Sequence, residues 1–402
     1  MKLFKSLLVA PATLGLLAPM TATANELNLK DVSGYSSSEE VQNISEFNSK
    51  EIAVTNSRVD GLEARMNNFE AGSFSETTTA SFSADMYLGS VQGGADNAAG
   101  RNTTQALNAT YSFQIDLNTS FTGDDSLDVS IDAGNSAAVG TVEFDGNGSG
   151  DTMFVDGVSY TFPIGDSATA FVGDSVDGST LFTTACVYGG PSNTLDDCGN
   201  VYSAIGSGTG TAFGASYDFG NGFTSAFGVT TAGSTANGVL TAESNDAYAI
   251  NAAYTGDNYG VSLSYADIET TVTAVNVDVA SLALNAYYTP EAEGMPSISG
   301  GYETADYSDP LGVDEDVESS SWFVGLSWDE IGPGTGGIAI GTKQHTIDAP
   351  GEQFEEMLMY EAYYTYDIND GMSVTPLIYI KQNAVTGVED ETGMMVKTSF
   401  SF

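Results

Sequence analysis

Few residues of this 402-residue chain are equipped for covalent chemistry. His345 is its one histidine, so a histidine-dependent triad would have to use it, and no particular serine or aspartate is indicated beside it. Cys/His spacing for a metal is absent. The acidic run Asp314-Glu315-Asp316 lacks an EF-hand's glycine and terminal glutamate and reads as solvated loop. No catalytic residue, metal site or cofactor is therefore expected. Cys186 and Cys198, the only cysteines, lie twelve positions apart between Gly, Pro and Asp residues. In an exported chain that pattern predicts a disulfide.

Charge has more to say. The chain carries 54 acidic residues against 10 basic, a formal net charge of -44. Beyond residue 72 only Arg101, Lys343, Lys381 and Lys397 are basic. Such a balance excludes nucleic acid as a partner, because neutralising phosphates takes Lys and Arg. It suits a surface bathed in salt, where repulsion between carboxylates is screened. In a period-two register Asp85, Asp116, Asp128 and Asp132 fall on the polar face of early segments, and Lys343, Lys381 and Lys397 on that of late ones. The long connection at 175–209 adds Asp177, Asp196 and Asp197. Opposed charges across a narrow passage create a transverse field that orients polar solutes. The plainer alternative, lysines that only offset local carboxylates, stays open.

These residues need a scaffold, and alternation supplies one. Leu107, Ala109, Tyr111, Phe113, Ile115 and Leu117 alternate with Asn108, Thr110, Ser112, Gln114 and Asp116. That run is long enough to cross a bilayer as a tilted strand. Sixteen such segments are expected, near 78–88, 105–117, 125–133, 152–162, 167–174, 210–218, 223–230, 246–254, 258–266, 278–289, 296–304, 319–328, 336–345, 357–366, 372–381 and 392–402. Connections after the even strands are short and those after the odd strands longer, as in an outer-membrane barrel. Phe162, Phe219, Phe223, Tyr254, Tyr259, Tyr288, Trp328, Tyr366 and Phe402 sit beside the short connections or the C-terminus, on the apolar face. They predict an aromatic belt at one membrane interface.

The N-terminal region is different. Lys2 and Lys5 precede an apolar run and Ala22-Thr23-Ala24, a secretory signal with cleavage expected after Ala24. Residues 25–50 read as a polar linker. In 51–71, Ile52, Thr55, Val59, Leu62, Met66 and Phe69 follow heptad spacing, a coiled-coil seam too short to stand alone. It fits three copies held together by a trimeric barrel; a single helix folded on the barrel mouth is the alternative. Residues 72–402 are assigned to the barrel.

The closing GMMVKTSFSF alternates to a terminal Phe402 and resembles the last strand of bacterial outer-membrane barrels, the signal read by the barrel-assembly machinery. The stretch SRVDGLEARMNNFEAGSFSETTTASFSADMYLG and the leader MKLFKSLLVAPATLGLLAP resemble cyanobacterial porins related to the carbohydrate-selective, OprB-like family, of marine picocyanobacterial type. That resemblance covers 1–24 and 52–90, and the rest mainly through strand pattern. Members usually carry an S-layer-homology domain of which only 25–50 could remain here, so wall anchoring is not carried over.

The fold expected is all-β: a 16-stranded antiparallel transmembrane β-barrel with a short N-terminal coiled-coil helix, in the cell outer membrane. By the same resemblance the 175–209 connection is the constriction loop that folds into the lumen; a stapled loop that stays outside is the alternative. The function expected is non-enzymatic: a homotrimeric porin, in contact with outer-membrane lipid, that passes small hydrophilic solutes, carbohydrates or inorganic ions and possibly iron. The competing reading is a structural or adhesive barrel displaying a trimeric coiled coil.

Overall fold

The computed structural model describes residues 77–402 except 94–106, 137–145, 193–194, 196, 205–209, 233–237, 242–244, 273–274, 309–316, 343–345, 350–351, 354–355 and 384–388. The signal, linker and heptad segments lie outside the described residues, as do Lys343, His345, Asp196 and Asp314–Asp316.

Among the described residues eighteen strands form a single antiparallel sheet. They are β1 (Thr78–Gln92), β2 (Asn108–Thr119), β3 (Ser126–Gly134), β4 (Phe154–Ile164), β5 (Ala168–Asp174), β6 (Gly210–Gly220), β7 (Phe223–Ala232), β8 (Asn245–Thr255), β9 (Tyr259–Val272), β10 (Val275–Tyr288), β11 (Ser297–Tyr307), β12 (Val317–Ile331), β13 (Gly334–Thr342), β14 (Thr346–Ala349), β15 (Glu352–Gln353), β16 (Leu358–Asn369), β17 (Met372–Lys381) and β18 (Glu391–Ser401). β14 and β15 make a small hairpin inside the connection between β13 and β16, which pair directly. The remaining sixteen close on themselves, because β1 pairs with both β2 and β18. Each expected strand has its counterpart. Closure leaves no unpaired edge, which hydrocarbon requires of any spanning sheet.

The seam closes on the last residue. Phe82 N–H donates to the Phe402 carbonyl and Phe402 N–H to that of Phe82, both at 3.0 Å. Their rings stack with centroids 5.8 Å apart. The terminal phenylalanine thus completes the ladder and covers its seam from outside.

Period two then sorts the side chains. Phe227, Ile250, Leu263, Leu284, Val324 and Ile338 are all exposed on the outer face, while Ala249, Asn251, Ser262, Ser264, Ala283 and Asn285, one position over, are buried on the inner one. An apolar band running round a closed sheet is matched to lipid, whereas in water it would be an aggregation surface. The expected aromatic belt forms at the short-turn end. Ring centres of Phe223 and Tyr254 lie 4.7 Å apart and those of Tyr254 and Tyr259 5.6 Å apart, both pairs tilted, and Tyr217 and Phe219 meet edge-on at 4.8 Å.

One local difference from the sequence reading stands out. Residues 267–272 and 275–277, expected as a loop, instead prolong β9 and β10. Their β-branched content favours strand, and Val277 and Val279 pack against Ala305, Ile268, Tyr202 and Tyr307. β13 is described as far as Thr342, and residues 343–345 of the expected segment lie outside the described residues.

Candidate functional site

The acidic residues of the early strands gather on one stretch of inner wall. Pairing sets Asp116 opposite Ser130, Asn118 opposite Asp128, and Gln114 opposite Asp132. The Asp116 carboxylate accepts from Gln114 Nε2 at 2.8 Å and from the Ser130 hydroxyl at 2.7 Å. Asp128 accepts from Asn118 Nδ2 at 2.6 Å and the Ser126 hydroxyl at 2.7 Å. Asn147 Nδ2 donates to Asp132 at 3.1 Å. Amides and hydroxyls help to hold these carboxylates in place.

Sequence reasoning missed a fifth. Ser130 pairs with Gly157 but Ile131 with Val155, so Asp156 is the extra residue of a β-bulge. A bulge re-aims a side chain, and Asp156 lines one recess with Asp85, Asp132 and Lys397 and a second with Asp128 and Asp177. Consecutive polar residues Asp156 and Gly157 break the alternation of β4, and that break was the available signal.

Of the three lysines expected to point inward, two are described, and each lies beside a tyrosine. Lys397 Nζ is 3.1 Å from Asp85 and 5.7 Å from the Tyr87 ring centre. Lys381 Nζ lies 5.5 Å from the Tyr379 ring centre. Lys397 therefore reaches an aspartate of its own wall, on the strand next to it. Asp177 joins the recess with Asp128 and Asp156, and Asp197 is exposed, accepting from Gly199 N–H at 3.0 Å.

The described residues of the 175–209 connection run along the inner face of the opposite wall. On its outgoing limb Thr183 N–H donates to Asn251 Oδ1 at 3.1 Å, Ala185 N–H to the Ser262 hydroxyl at 2.8 Å, and Val187 N–H to that of Ser299 at 3.0 Å. On the return limb Asn285 Nδ2 donates to the Cys198 carbonyl and the Ser321 hydroxyl to the Gly199 carbonyl, both at 2.9 Å. Cys186 and Cys198 are joined as a disulfide with Cα atoms 6.5 Å apart, tying the limbs together. Tyr188, Leu195 and Cys198 pack on Phe323, Ala339 and Met359. The wall beneath is built of small residues. A Cβ on Gly301 would fall 1.9 Å from the Cys198 carbonyl oxygen, and one on Gly228 1.8 Å from that of Gly178.

Two carboxylates that sequence reasoning passed over lie beneath this loop. Glu303 on β11 is fully buried and Glu361 on β16 is 3% exposed. Glu303 accepts the backbone N–H of Tyr202 at 2.9 Å on one oxygen and that of Ser203 at 2.8 Å on the other. Glu361 accepts the Tyr188 hydroxyl at 2.5 Å and the Ser192 hydroxyl. Burial, then the neighbouring Glu361 charge, pushes the Tyr188 phenol well above its usual range, so it stays protonated and donating.

Opposite the lumen's loop end, the turn 120–125 is organised by Asp125. Its carboxylate accepts the Tyr160 hydroxyl at 2.7 Å, Thr122 N–H and hydroxyl at 2.7 Å, and Phe121 N–H and the Ser120 hydroxyl at 2.9 Å. The bond from Tyr160 contributes most to holding its pKa well below the carboxylate range.

Closed sheet, lipid-matched outer face and polar inner face together define a porin-type outer-membrane barrel. Solved structures agree on the fold. The anion-selective porin from Comamonas acidovorans is 16% identical, with a TM-score of 0.56 over 81% of this chain and 99% of that one. OprB of Pseudomonas putida is 12% identical, with a TM-score of 0.54 over 81% of this chain and 94% of its own. A trimer form of the outer-membrane protein OmpT of Vibrio cholerae is 10% identical, with a TM-score of 0.54 over 81% and 100%. Among curated sequences, the uncharacterized protein alr4550 of Nostoc sp. strain PCC 7120 is 24% identical over 441 residues, 95% of this chain and 74% of the relative. No family model matches the chain.

Proposed function

We propose that the protein is a passive diffusion channel for small hydrophilic solutes and inorganic ions, narrowed by the 175–209 loop. The observation that carries this is the two-sided lumen: loop along one inner wall, acidic residues lining the other. A barrel of sixteen strands is wide enough to keep an aqueous path when a loop occupies part of it. Asp85, Asp116, Asp128, Asp132, Lys381 and Lys397 are the pore-lining residues in this reading, with Lys343 as the remaining member of the basic set. Asp177, Asp196 and Asp197 belong to the constriction loop. Carbohydrates and ions, iron included, are the solute classes considered, and the heptad segment at 51–71 supports a homotrimer.

Selectivity follows from charge. Lys397 is paired with Asp85, and Asp116, Asp128, Asp132 and Asp156 add further carboxylates along the path. A mild cation preference is the expected result, weakening as salt screens the acids. Purified protein added to a planar bilayer should give stepwise conductance. A folded barrel that inserts without steps would refute the channel reading and leave a structural role.

A further inference from the structure

Glu303 and Glu361 occupy positions that period two assigns to the lumen, yet neither faces water. Each instead meets one limb of the inner loop. Glu303 takes two consecutive backbone N–H groups of the return limb, one on each carboxylate oxygen. Glu361 takes two side-chain hydroxyls of the outgoing limb, from Tyr188 and Ser192. Charge-assisted hydrogen bonds out of water are the strong kind, and a buried partner left unpaired is costly. The limbs between these points are joined by Cys186–Cys198.

We infer that Glu303 and Glu361 are paired latches that hold the inner loop against the wall and so set the width of the passage. They are positioning residues: they bear on solutes only through the loop. The inference rests on the channel reading, but it fails separately. Wild-type protein that conducts while latch variants leave the passage unchanged would overturn the latches alone.

The two latches differ chemically, and that difference makes the test sharp. The contacts of Glu303 with Tyr202 and Ser203 are to backbone N–H donors, which cannot turn round. Glu303→Gln keeps the shape but sets an amide N–H₂ against one of those donors, so one limb contact becomes repulsive. The contacts of Glu361 with Tyr188 and Ser192 are to hydroxyls, which donate or accept as required. Glu361→Gln can therefore keep both contacts, whereas Glu361→Leu removes them.

Single-channel conductance and the size cut-off for neutral polyethylene glycols in bilayers read the geometry. Neutral polymers are blind to the lost charge. E303Q should lower conductance about 1.5-fold or more and exclude smaller polymers, E361L should do the same, and E361Q should match wild type. If E303Q does not assemble, as judged by heat-modifiable mobility of the folded barrel, the contrast between E361L and E361Q decides the matter. Equal behaviour of E361Q and E361L, or wild-type polymer cut-off in both E303Q and E361L, would overturn the latch assignment.

Discussion

The inner faces of the two halves of this barrel are built from different materials. From β7 to β13 most inward residues are small, Gly228, Ala249, Ser262, Ser299, Gly301, Ser321 and Gly325 among them, with Glu303 and Phe323 as the large exceptions that meet the loop. From β17 through β18 and β1 to β4 they are large or charged: Tyr379, Lys381, Lys397, Tyr87, Asp85, Asp116, Asp128 and Asp132. The first wall is low enough for a loop to lie on it and offers hydroxyls and amides for the loop backbone. The second reaches into the water and carries the charge. Side-chain volume thus decides where the loop rests, and charge on the other side decides what the loop leaves to be sensed.

The strongest way to break the contrast is to raise the small wall. Gly301→Val places side-chain atoms where the Cys198 carbonyl lies. Overpacking of this sort costs about 1–3 kcal/mol, and here the loop, not the sheet, is the element free to yield. Displaced into the passage, it should cut conductance severely with the barrel still folded. Unchanged conductance would mean that the loop does not rest there in the membrane.

Next comes the charged wall. Replacing Asp116, Asp128, Asp132 and Asp156 together with Asn should abolish cation preference at low salt while leaving the polymer cut-off unchanged. A shift in cut-off without a shift in preference would show that these residues shape the path rather than its potential.

The disulfide sharpens the comparison more gently. Ser at both Cys186 and Cys198 releases a crosslink across twelve positions, worth about 2–3 kcal/mol by loop-closure entropy. With the wall contacts intact, mean conductance should stay close to wild type while current noise and protease cleavage within the loop increase. A wild-type noise spectrum would make the bridge redundant.

The smallest effect is expected at the turn end. Asp125 has a folded pKa depressed below its unfolded value. Its stabilisation is therefore fully present above the unfolded carboxylate value of about 3.9 and is lost as pH falls through the lower, folded one. Asp125→Asn should lower barrel melting slightly at neutral pH and remove part of the acid dependence, with conductance untouched. Melting curves at two pH values would check it.

How much of this was legible beforehand depends on the range of the interaction involved. Strand positions follow from local alternation, so all sixteen segments could be placed, and Asp85, Asp116, Asp128 and Asp132 could be set on the inner face. The bulge at Asp156 was visible only as a break in that alternation. Glu303 and Glu361 were not legible as buried groups, because an inward glutamate on a strand looks the same whether water or a loop covers it. What covers them comes from about 100 and 170 residues away in the chain. One hint was present: Gly300-Gly301, just before Glu303, is the kind of strand glycine that marks close approach of another backbone. Lys397 carried no sign that its partner would be Asp85, since β18 and β1 meet only when the barrel closes.

The central claim is that a lumen with an acidic wall opposite a latched loop carries solutes and ranks them by charge. Reversal potential across a potassium chloride gradient, measured on wild type and on a variant with Lys343, Lys381 and Lys397 all changed to Gln, tests it most directly. The expected result is a mild cation preference in wild type that fades at high salt and strengthens in the variant. Clear anion preference, unmoved by the three substitutions, would contradict the account.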